Sequence, residues 1–364
     1  MTGNVIVGQS GGPTAVINSS LAGVFKTAKD LGAEKIYGMR YGIQGFLEKN
    51  IIDMSEKIRS DMDLELLKRT PSSFLGSCRY KLPDICDDRE LYNRIFEILN
   101  EYGITAFFYI GGNDSMDTIK KLSDYAILMN SPIRFIGVPK TIDNDLAVTD
   151  HTPGFGSAAK YIASATKELI RDGLVYDVKN VTIIEIMGRN AGWLTGAAAL
   201  AHCEDCEGVD LLYLPELPFD VDTFLEKIKE IQKVKKSVVV AVSEGIKTAD
   251  GKYVFEHGQH TEYVDSFGHK QLSGTAKYLS ALVSEKIGCK SRAIELSTLQ
   301  RCAGHLTSRV DITEAYQVHQ VINGNIVKSR KLIQCVRIGC PFPCLIMAVG
   351  LPDYSKHLGY IILC

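Results

Sequence analysis

The chain has 364 residues, of which 45% are hydrophobic and 23% are charged, and its formal net charge at pH 7 is −2. This length predicts about two domains, and the balanced charge excludes a globally basic surface for nucleic acid or an anionic membrane. The N-terminus resembles neither a signal peptide nor a transmembrane helix, and the ten cysteines are scattered, so we expect a cytoplasmic protein with reduced thiols.

Short apolar runs alternate with amphipathic segments along most of the chain. The apolar runs lack polar alternation, as expected for strands covered on both faces, and they span residues 4–7, 104–110, 134–138, 181–186 and 237–242. Helical periodicity is found in residues 88–102, with Asp87 as the expected cap, and in residues 157–172, before Asp172-Gly173. This alternation predicts an α/β fold with a largely parallel sheet.

The loops that follow these runs are rich in Gly, Thr, Asp, Arg and Lys. In chain order they read GQSGGPTAVIN, GGNDS, PKTIDND, MGRNAGW and SEG. Ligands bind at the carboxyl edge of the strands in open α/β sheets, and turns alone do not require so many charged groups. We therefore expect a ligand site at this edge.

The sequence argues against two common classes of nucleotide-binding protein. The chain has no GxxxxGK[ST] loop, which argues against a Walker-type NTPase. The segment GFGSAA at residues 154–159 fits G-x-G-x-x-A, but it follows TDHTP rather than a strand. This context argues against a dinucleotide-dependent dehydrogenase.

The loop residues favour phosphoryl transfer, a reaction that needs positioning and neutralisation of spread negative charge. Gly11 and Gly12 would open the backbone to a phosphate at the start of a helix expected from Thr14. Asp143 and Asp145 suit one base for a hydroxyl proton and one group near a metal. Such a pair could equally form a turn or a helix cap.

Two further charged residues have alternative interpretations. Arg189, next to a glycine, could stabilise charge on the transferring group or could form a surface salt bridge. Glu244, at the end of a buried run, is suited to a sugar hydroxyl but could also cap the next helix.

A set of motifs resembles the 6-phosphofructokinase family in order and spacing, over about residues 4–318. The motifs are GQSGGPTAVIN, FLGSCR, GGNDSMDT, PKTIDND, TDHTPGFGSAAKY, EIMGRNAGW and LSTLQR. The resemblance implies two similar Rossmann-like α/β domains with the active site between them. Residues 1–150 would bind the phosphoryl donor and residues 151–318 the sugar phosphate, with the chain crossing between the domains. Residues 319–364 would form an atypical tail.

The resemblance also implies roles in transfer of a phosphoryl group to the 1-hydroxyl of fructose 6-phosphate. The implied catalytic residues are Asp143 (the proton acceptor), Lys140, Asp114, Arg189 and Thr141. The implied donor-binding residues are Gly11, Gly12, Arg79 and Gly112. The implied sugar-phosphate-binding residues are Thr141, Ile142, Asp143, Met187, Gly188, Arg189, Glu244, Arg292 and Arg301. Mg²⁺ would lie at Asn113, Asp114 and Asp145. Arg292 is expected to reach across a subunit boundary, which implies a homodimer or homotetramer.

The phosphoryl donor is predicted from two positions at which ATP-using members carry glycine. Here those positions are Asp114 and Lys140. The side chain of Asp114 would occupy the place of the nucleotide's α-phosphate, and Lys140 would offer a cation to a shorter donor. The combination resembles the diphosphate-dependent type, so we expect a reversible reaction of glycolysis and gluconeogenesis. The alternatives are an ATP-dependent enzyme and a catalytically silent sugar-phosphate-binding paralogue.

The chain departs from the family's pattern at several places. Asn180 stands where many members carry Arg, so either Lys179 supplies the cation or the 6-phosphate is held differently. Thr298 stands where a substrate-binding His is common. The last helix is expected to begin with a capping box from Asp311 to Glu314, and the residues after about 325 are expected to be poorly packed or mobile.

Overall fold

The computed structural model describes residues 3–146, 149–258, 272–326, 345–349 and 359–363, with side chains described as far as residue 317. The strands are β1 (Asn4–Gln9), β2 (Ile36–Met39), β3 (Ile51–Asp53), β4 (Ile104–Gly111), β5 (Arg134–Pro139), β6 (Asn180–Ile186), β7 (Leu211–Tyr213), β8 (Ser237–Ser243), β9 (Lys290–Glu295), β10 (Leu345–Val349) and β11 (Gly359–Leu363). The helices are α1 (Ile17–Asp30), α2 (Gly42–Leu47), α3 (Asp61–Arg69), α4 (Arg89–Glu101), α5 (Asn113–Leu128), α6 (Phe155–Gly173), α7 (Trp193–Ala197), α8 (Val221–Ile231), α9 (Thr275–Ile287), α10 (Leu299–Cys302) and α11 (Arg309–Ile326).

Two mainly parallel sheets organise the fold. The first has the strand order β3-β2-β1-β4-β5, in which only the pairing of β3 with β2 is antiparallel. The second has the order β7-β8-β6-β9 and is parallel throughout. Strands β10 and β11 pair with each other in antiparallel register. The expected α/β class is confirmed, and the apolar runs correspond to β1, β4, β5, β6 and β8.

Each large sheet is buried on both faces, which explains why its central strands lack polar alternation. In the first sheet, Val5 and Phe108 face one apolar cluster, whereas Ile6 and Phe107 face another. All four side chains are fully buried. Burial of each such side chain contributes roughly 1.5–3 kcal/mol, so the rigid strand ends provide a firm base for the loops that follow them.

The C-terminal part of the described chain returns to the first sheet. After β9, helix α11 packs against α1. The Ser19 hydroxyl of α1 donates a hydrogen bond to the carbonyl of Ile312 over 2.6 Å. In the part of the chain that the structure describes, no helix combines the length and hydrophobicity that a membrane crossing needs. The expected poor packing after about residue 325 concerns side chains outside the described residues.

Three expected helix starts are wrong. Helix α1 begins at Ile17 rather than Thr14 because the Thr14 hydroxyl accepts a hydrogen bond from the Val16 N–H over 3.3 Å and keeps the chain in a turn. The cap of α4 is Asp88 rather than Asp87, since its carboxylate accepts the N–H of Leu91.

The third correction concerns α11, which begins at Arg309, before the expected capping box. The Asp311 carboxylate instead accepts hydrogen bonds from residues at the N-terminus of α6.

Candidate active site

A cleft of about 650 Å³ opens at the carboxyl ends of strands from both sheets. The cleft contains most of the side chains and glycines expected from the sequence. These are Gly11, Gly12, Arg79, Gly112, Asn113, Asp114, Lys140, Thr141, Ile142, Asp143, Asp145, Met187, Arg189, Glu244 and Arg301. One site therefore collects residues that lie almost 300 positions apart in the chain.

The side of the cleft formed by the first sheet, which we call the donor wall, carries a buried lysine. Lys140 is 4% exposed, and its Nζ donates a hydrogen bond to the carbonyl of Gly12 over 2.6 Å. Burial lowers the pKa of Lys140 to about 8, and the charges of Arg301 and Arg79 lower it further, while Asp143 opposes the shift. A buried ammonium of this kind can interact strongly with a phosphate oxygen.

Gly11 and Gly12 leave room for these cations. Gly11 has a φ of +74°, and a β-carbon there would lie 3.3 Å from Nζ of Lys140. A β-carbon on Gly12 would lie 2.8 Å from a guanidinium nitrogen of Arg301. The glycines therefore allow the lysine and arginine to approach the backbone where an anion would bind.

Helix α5 begins at the donor wall. Gly112 occupies its N-cap position without a side-chain cap, and Asp114 lies in the first turn. An exposed helix N-terminus attracts anions, but here the acid on the helix itself occupies that position. Next to it, the Asn113 side chain donates a hydrogen bond to Asp145 over 3.2 Å.

Asp143 lies in a tightly held loop after β5. Its backbone N–H donates to the Thr141 hydroxyl over 3.0 Å, and the next residue, Asn144, adopts the left-handed conformation with a φ of 57°. Burial raises the pKa of Asp143 to about 6, and Asp145 adds to the shift, whereas Lys140 and the two nearby arginines oppose it. At neutral pH the group is therefore still mostly a carboxylate, but a more basic one than usual.

The opposite side, which we call the sugar wall after the role expected for it, carries Glu185, Glu244 and Glu295. Glu185 lies close enough to each of the other two for their charges to interact. Burial raises the pKa of Glu244 to about 8, and the charges of Glu185 and Asp143 contribute, while the Gly188 N–H opposes the shift. Burial also raises the pKa of Glu185 to about 7, against a 2.8 Å hydrogen bond from the Ala276 N–H. This wall therefore offers several carboxyl groups that can form hydrogen bonds with hydroxyls, either as acceptors or, when protonated, as donors.

Glu185 and Glu295 were not among the expected site residues. The available signal was an ionisable residue inside the apolar run VTIIEI, which is unusual for a buried strand. Gln300 was also missed; its side-chain oxygen accepts the N–H of Met187 over 3.2 Å.

The loop after β6 brings Arg189 into the cleft by close backbone packing. Gly188 has a φ of +137°, and its carbonyl accepts the Ser243 hydroxyl over 2.6 Å. A β-carbon on Gly245 would lie 2.1 Å from the carbonyl oxygen of Arg189. A side chain at Gly245 would therefore displace the arginine.

Other expected residues occupy different positions. Arg292 does not line the cleft; one of its guanidinium nitrogens lies 3.0 Å from the carboxylate of Asp172. Asn180 donates its amide to the carbonyls of Gly173 and Val178, and Lys179 is exposed away from the cleft. Thr298 does line the cleft.

The donor wall carries acidic oxygens that could hold a metal ion. Within the described ranges, no group of three or more His, Cys, Asp or Glu side chains is arranged to hold a metal ion. Asp114, Asp143 and Asp145 nevertheless line the same cleft. This oxygen set fits Mg²⁺, which usually takes one or two carboxylates together with substrate phosphates and water rather than a dedicated protein cage.

Comparisons with known proteins agree with this geometry. The sequence profile of the Phosphofructokinase family matches residues 4–318. A pyrophosphate–fructose 6-phosphate 1-phosphotransferase from Xanthomonas campestris pv. campestris is 44% identical over 319 residues, covering 87% of this chain and 75% of the relative. The enzyme of the same name from Halomonas elongata is 40% identical, covering 86% of this chain and 75% of that relative.

A solved structure is similar as well. The pyrophosphate-dependent phosphofructokinase from Nitrosospira multiformis superposes with a TM-score of 0.78 at 38% identity, covering 89% of this chain and 76% of that chain.

Proposed function

The chain belongs to the phosphofructokinase family, and we propose that it transfers a phosphoryl group from diphosphate to the 1-hydroxyl of fructose 6-phosphate. The products are fructose 1,6-bisphosphate and phosphate. The observation that supports this choice of donor is that Asp114 and Lys140 line the same cleft. The 40–44% identical relatives with the corresponding name support it.

Asp143 is the base in this proposal. As the 1-hydroxyl oxygen of the sugar forms a bond to phosphorus, its proton passes to the Asp143 carboxylate, and the bond from phosphorus to the bridging oxygen of diphosphate breaks. The leaving group is phosphate. The hydrogen bond from the Asp143 N–H to Thr141 fixes the loop in which the base lies, which suits proton transfer at a defined position.

Cations around the donor stabilise the charge that spreads over the transferring group. Lys140 approaches Gly12 from the donor wall, and Arg301 approaches it from α10, which follows β9 of the second sheet. Arg189 enters from the loop after β6. Preorganised charges in a site that excludes water usually contribute more than the same charges in solution. Arg79 belongs to the same cationic set, because its charge acts on both Lys140 and Arg301.

Asp114 selects the shorter donor. Its carboxylate lies in the first turn of α5, where an anionic group of a longer donor would otherwise meet the helix N-terminus. An α-phosphate there would encounter both the bulk and the charge of the side chain. Diphosphate ends before this position, so it retains the contacts with Lys140 without that repulsion.

Mg²⁺ is the cofactor in this proposal, with Asn113, Asp114 and Asp145 as the residues that would hold it. When bound, the ion neutralises negative charge on the diphosphate oxygens. The protein's own contribution there is the hydrogen bond from Asn113 to Asp145, which orients the Asp145 carboxylate.

The sugar wall binds fructose 6-phosphate. Glu244 and the loop Met187–Arg189 contact the sugar, with the Gly188 N–H directed to Glu244 over 3.4 Å, and Arg301 contacts the 6-phosphate. Thr141 and Ile142 complete the contacts near the reacting hydroxyl. In this division residues 1–150 bind the donor and residues 151–318 the sugar phosphate. Arg292, which lies outside the cleft, acts on a neighbouring subunit of a homodimer or homotetramer.

The proposal is tested by measuring fructose 1,6-bisphosphate formation by the purified protein with diphosphate, with ATP, and with neither. Product with diphosphate alone, and its consumption when phosphate is added, supports a reversible enzyme of glycolysis and gluconeogenesis. Product mainly with ATP would reassign the donor. No product with either donor would indicate a silent sugar-phosphate-binding protein.

A further inference from the structure

Asp311 connects the C-terminal helix to the segment on which the base depends. It lies on α11 and is 4% exposed. One carboxylate oxygen accepts the Gly154 N–H over 2.9 Å, and the other accepts the Ser157 N–H over 2.9 Å and the Ser157 hydroxyl over 2.5 Å. Helix α6 has no side-chain cap of its own at Gly154, so Asp311 caps it from more than 150 residues away.

The capped segment is hydrogen-bonded to the loop of the base. The Thr141 N–H donates to the carbonyl of Pro153 over 3.3 Å, and Thr141 pairs with Gly154 as an isolated parallel bridge. The hydroxyl of Thr152, which is fully buried, donates to the carbonyl of Thr141 over 2.7 Å. The Thr152 N–H donates to the side chain of Asn144 over 2.8 Å.

Gly154 also brings this segment against the donor wall. It has a φ of +115°, and a β-carbon there would lie 2.7 Å from the methyl group of Thr14. Thr14 lines the cleft next to Gly12. One turn after Asp311, the Glu314 carboxylate lies 3.2 Å from Nδ1 of His151, which gives α11 a second contact with the same segment.

We propose that Asp311 is a positioning residue for phosphoryl transfer, which holds the segment His151–Ser157 so that the segment in turn fixes Thr141, Asn144 and, between them, Asp143. The proposal rests on the proposed function, because it assigns Asp143 the role of base. Asp311 does not line the cleft, so its effect on the rate passes through the segment that it holds. Since a small misplacement of a catalytic group can cost about 10²-fold in rate, loss of the cap should act mainly on kcat.

The test compares Asp311→Asn with wild type in the diphosphate-dependent assay. We expect kcat to fall by about tenfold or more while the KM for each substrate changes by less than about threefold, because binding groups on the cleft surface are retained. The matched control is Asp220→Asn. Asp220 caps α8 through the Thr223 N–H over 2.8 Å, but it is exposed and does not line the cleft. Its substitution should leave kcat within about twofold of wild type.

A second pair of variants tests whether Asp311 acts through the hydrogen bond between Thr152 and Thr141. Thr152→Val removes the hydrogen bond to Thr141, so kcat should fall by about fivefold or more, whereas Thr152→Ser keeps the hydroxyl and should restore most of kcat. If Asp311 acts through this segment, the double variant Asp311→Asn/Thr152→Val should be only slightly slower than the slower single variant. This pair also tests the proposal if Asp311→Asn does not fold.

The outcomes separate the proposals. A wild-type protein without diphosphate-dependent activity contradicts the proposed function itself. An active wild type with a folded Asp311→Asn variant of unchanged kcat overturns the positioning role, and so does a Thr152→Val variant with unchanged kcat. Fully multiplicative effects in the double variant would show that the two residues act independently and would also overturn it.

Discussion

Burial shifts the pKa values of ionisable groups in opposite directions on the two walls of the cleft. On the donor wall, burial lowers the pKa of Lys140 toward neutrality, and the neighbouring arginines add to that shift. On the sugar wall, burial raises the pKa values of Glu185 and Glu244 toward neutrality, and the neighbouring carboxylates add to that shift. The cations of the donor wall suit an anionic phosphate, and the carboxyl groups of the sugar wall suit uncharged hydroxyls that donate hydrogen bonds.

The difference shows how one cleft can bind an anionic group on one side and hydroxyl groups on the other. Like charges collected on one wall disfavour one another, and an anionic phosphate that binds beside the cations of the donor wall offsets their repulsion. Asp143 interacts with both walls, since Lys140 of the donor wall lowers its pKa and its own charge raises the pKa of Glu244 on the sugar wall.

The largest effect should come from the base. If Asp143 accepts the proton of the 1-hydroxyl, Asp143→Ser should lower kcat by about 10²–10⁴-fold and change the substrate KM values much less. Steady-state kinetics with diphosphate and fructose 6-phosphate measures both quantities. Activity within about threefold of wild type would remove Asp143 from the mechanism.

The donor wall should show a pH dependence set by Lys140. Because its pKa is about 8, the side chain is cationic below that pH and loses its charge above it. The kcat/KM for diphosphate should therefore fall by about tenfold for each pH unit above 8. The ratio of wild type to Lys140→Gly at each pH cancels the titration of the substrates themselves. A constant ratio between pH 7 and about 9.5 would contradict this role for Lys140.

The sugar wall should show a smaller effect, on stability. The pKa of Glu185 is about 7 in the folded protein and near 4.5 when the group is unperturbed. The folded state therefore holds this proton more tightly, so the group's contribution to stability is fully present below pH 4.5 and is lost as pH rises through about 7.

The variant Glu185→Gln removes this titration. Relative to wild type, its free energy of unfolding should rise by about 1–3 kcal/mol between pH 5 and pH 8, measured by chemical denaturation at both values. Glu226→Gln, at an exposed position of α8, is the control and should show no such rise. An equal pH dependence in Glu185→Gln and wild type would show that the buried glutamate does not oppose folding at high pH.

Much of the fold could be predicted from the sequence, because a strand that is buried on both faces of its sheet consists of a continuous run of apolar residues. Continuous apolar runs identified the central strands, and the loops after them identified the edge of the cleft. The short strands β2, β3 and β7 were missed because runs of three or four residues have little periodicity.

Site residues could be predicted from the sequence where they directly follow a strand. They could not be predicted where their position depends on packing against distant parts of the chain. Asp143 and Lys140 lie in a loop directly after β5, so their neighbourhood could be inferred. Asp311 was expected to cap its own helix, but the fold directs its carboxylate to α6. Glu185 lies inside a strand, and only the approach of β8 and β9 shows that it faces the cleft.

In the proposed function, the choice of phosphoryl donor depends on Asp114, which excludes the longer donor, and on Lys140, which promotes use of the shorter one. It is tested by kcat/KM for diphosphate and for ATP in wild type, Asp114→Gly, Lys140→Gly and the double variant. Asp114→Gly should gain measurable ATP use and lose part of its activity with diphosphate. Lys140→Gly should lose about 10²-fold of its diphosphate activity without gaining ATP use, and the double variant should favour ATP most. An Asp114→Gly variant that still rejects ATP and keeps full diphosphate activity would contradict a role for Asp114 in donor selection.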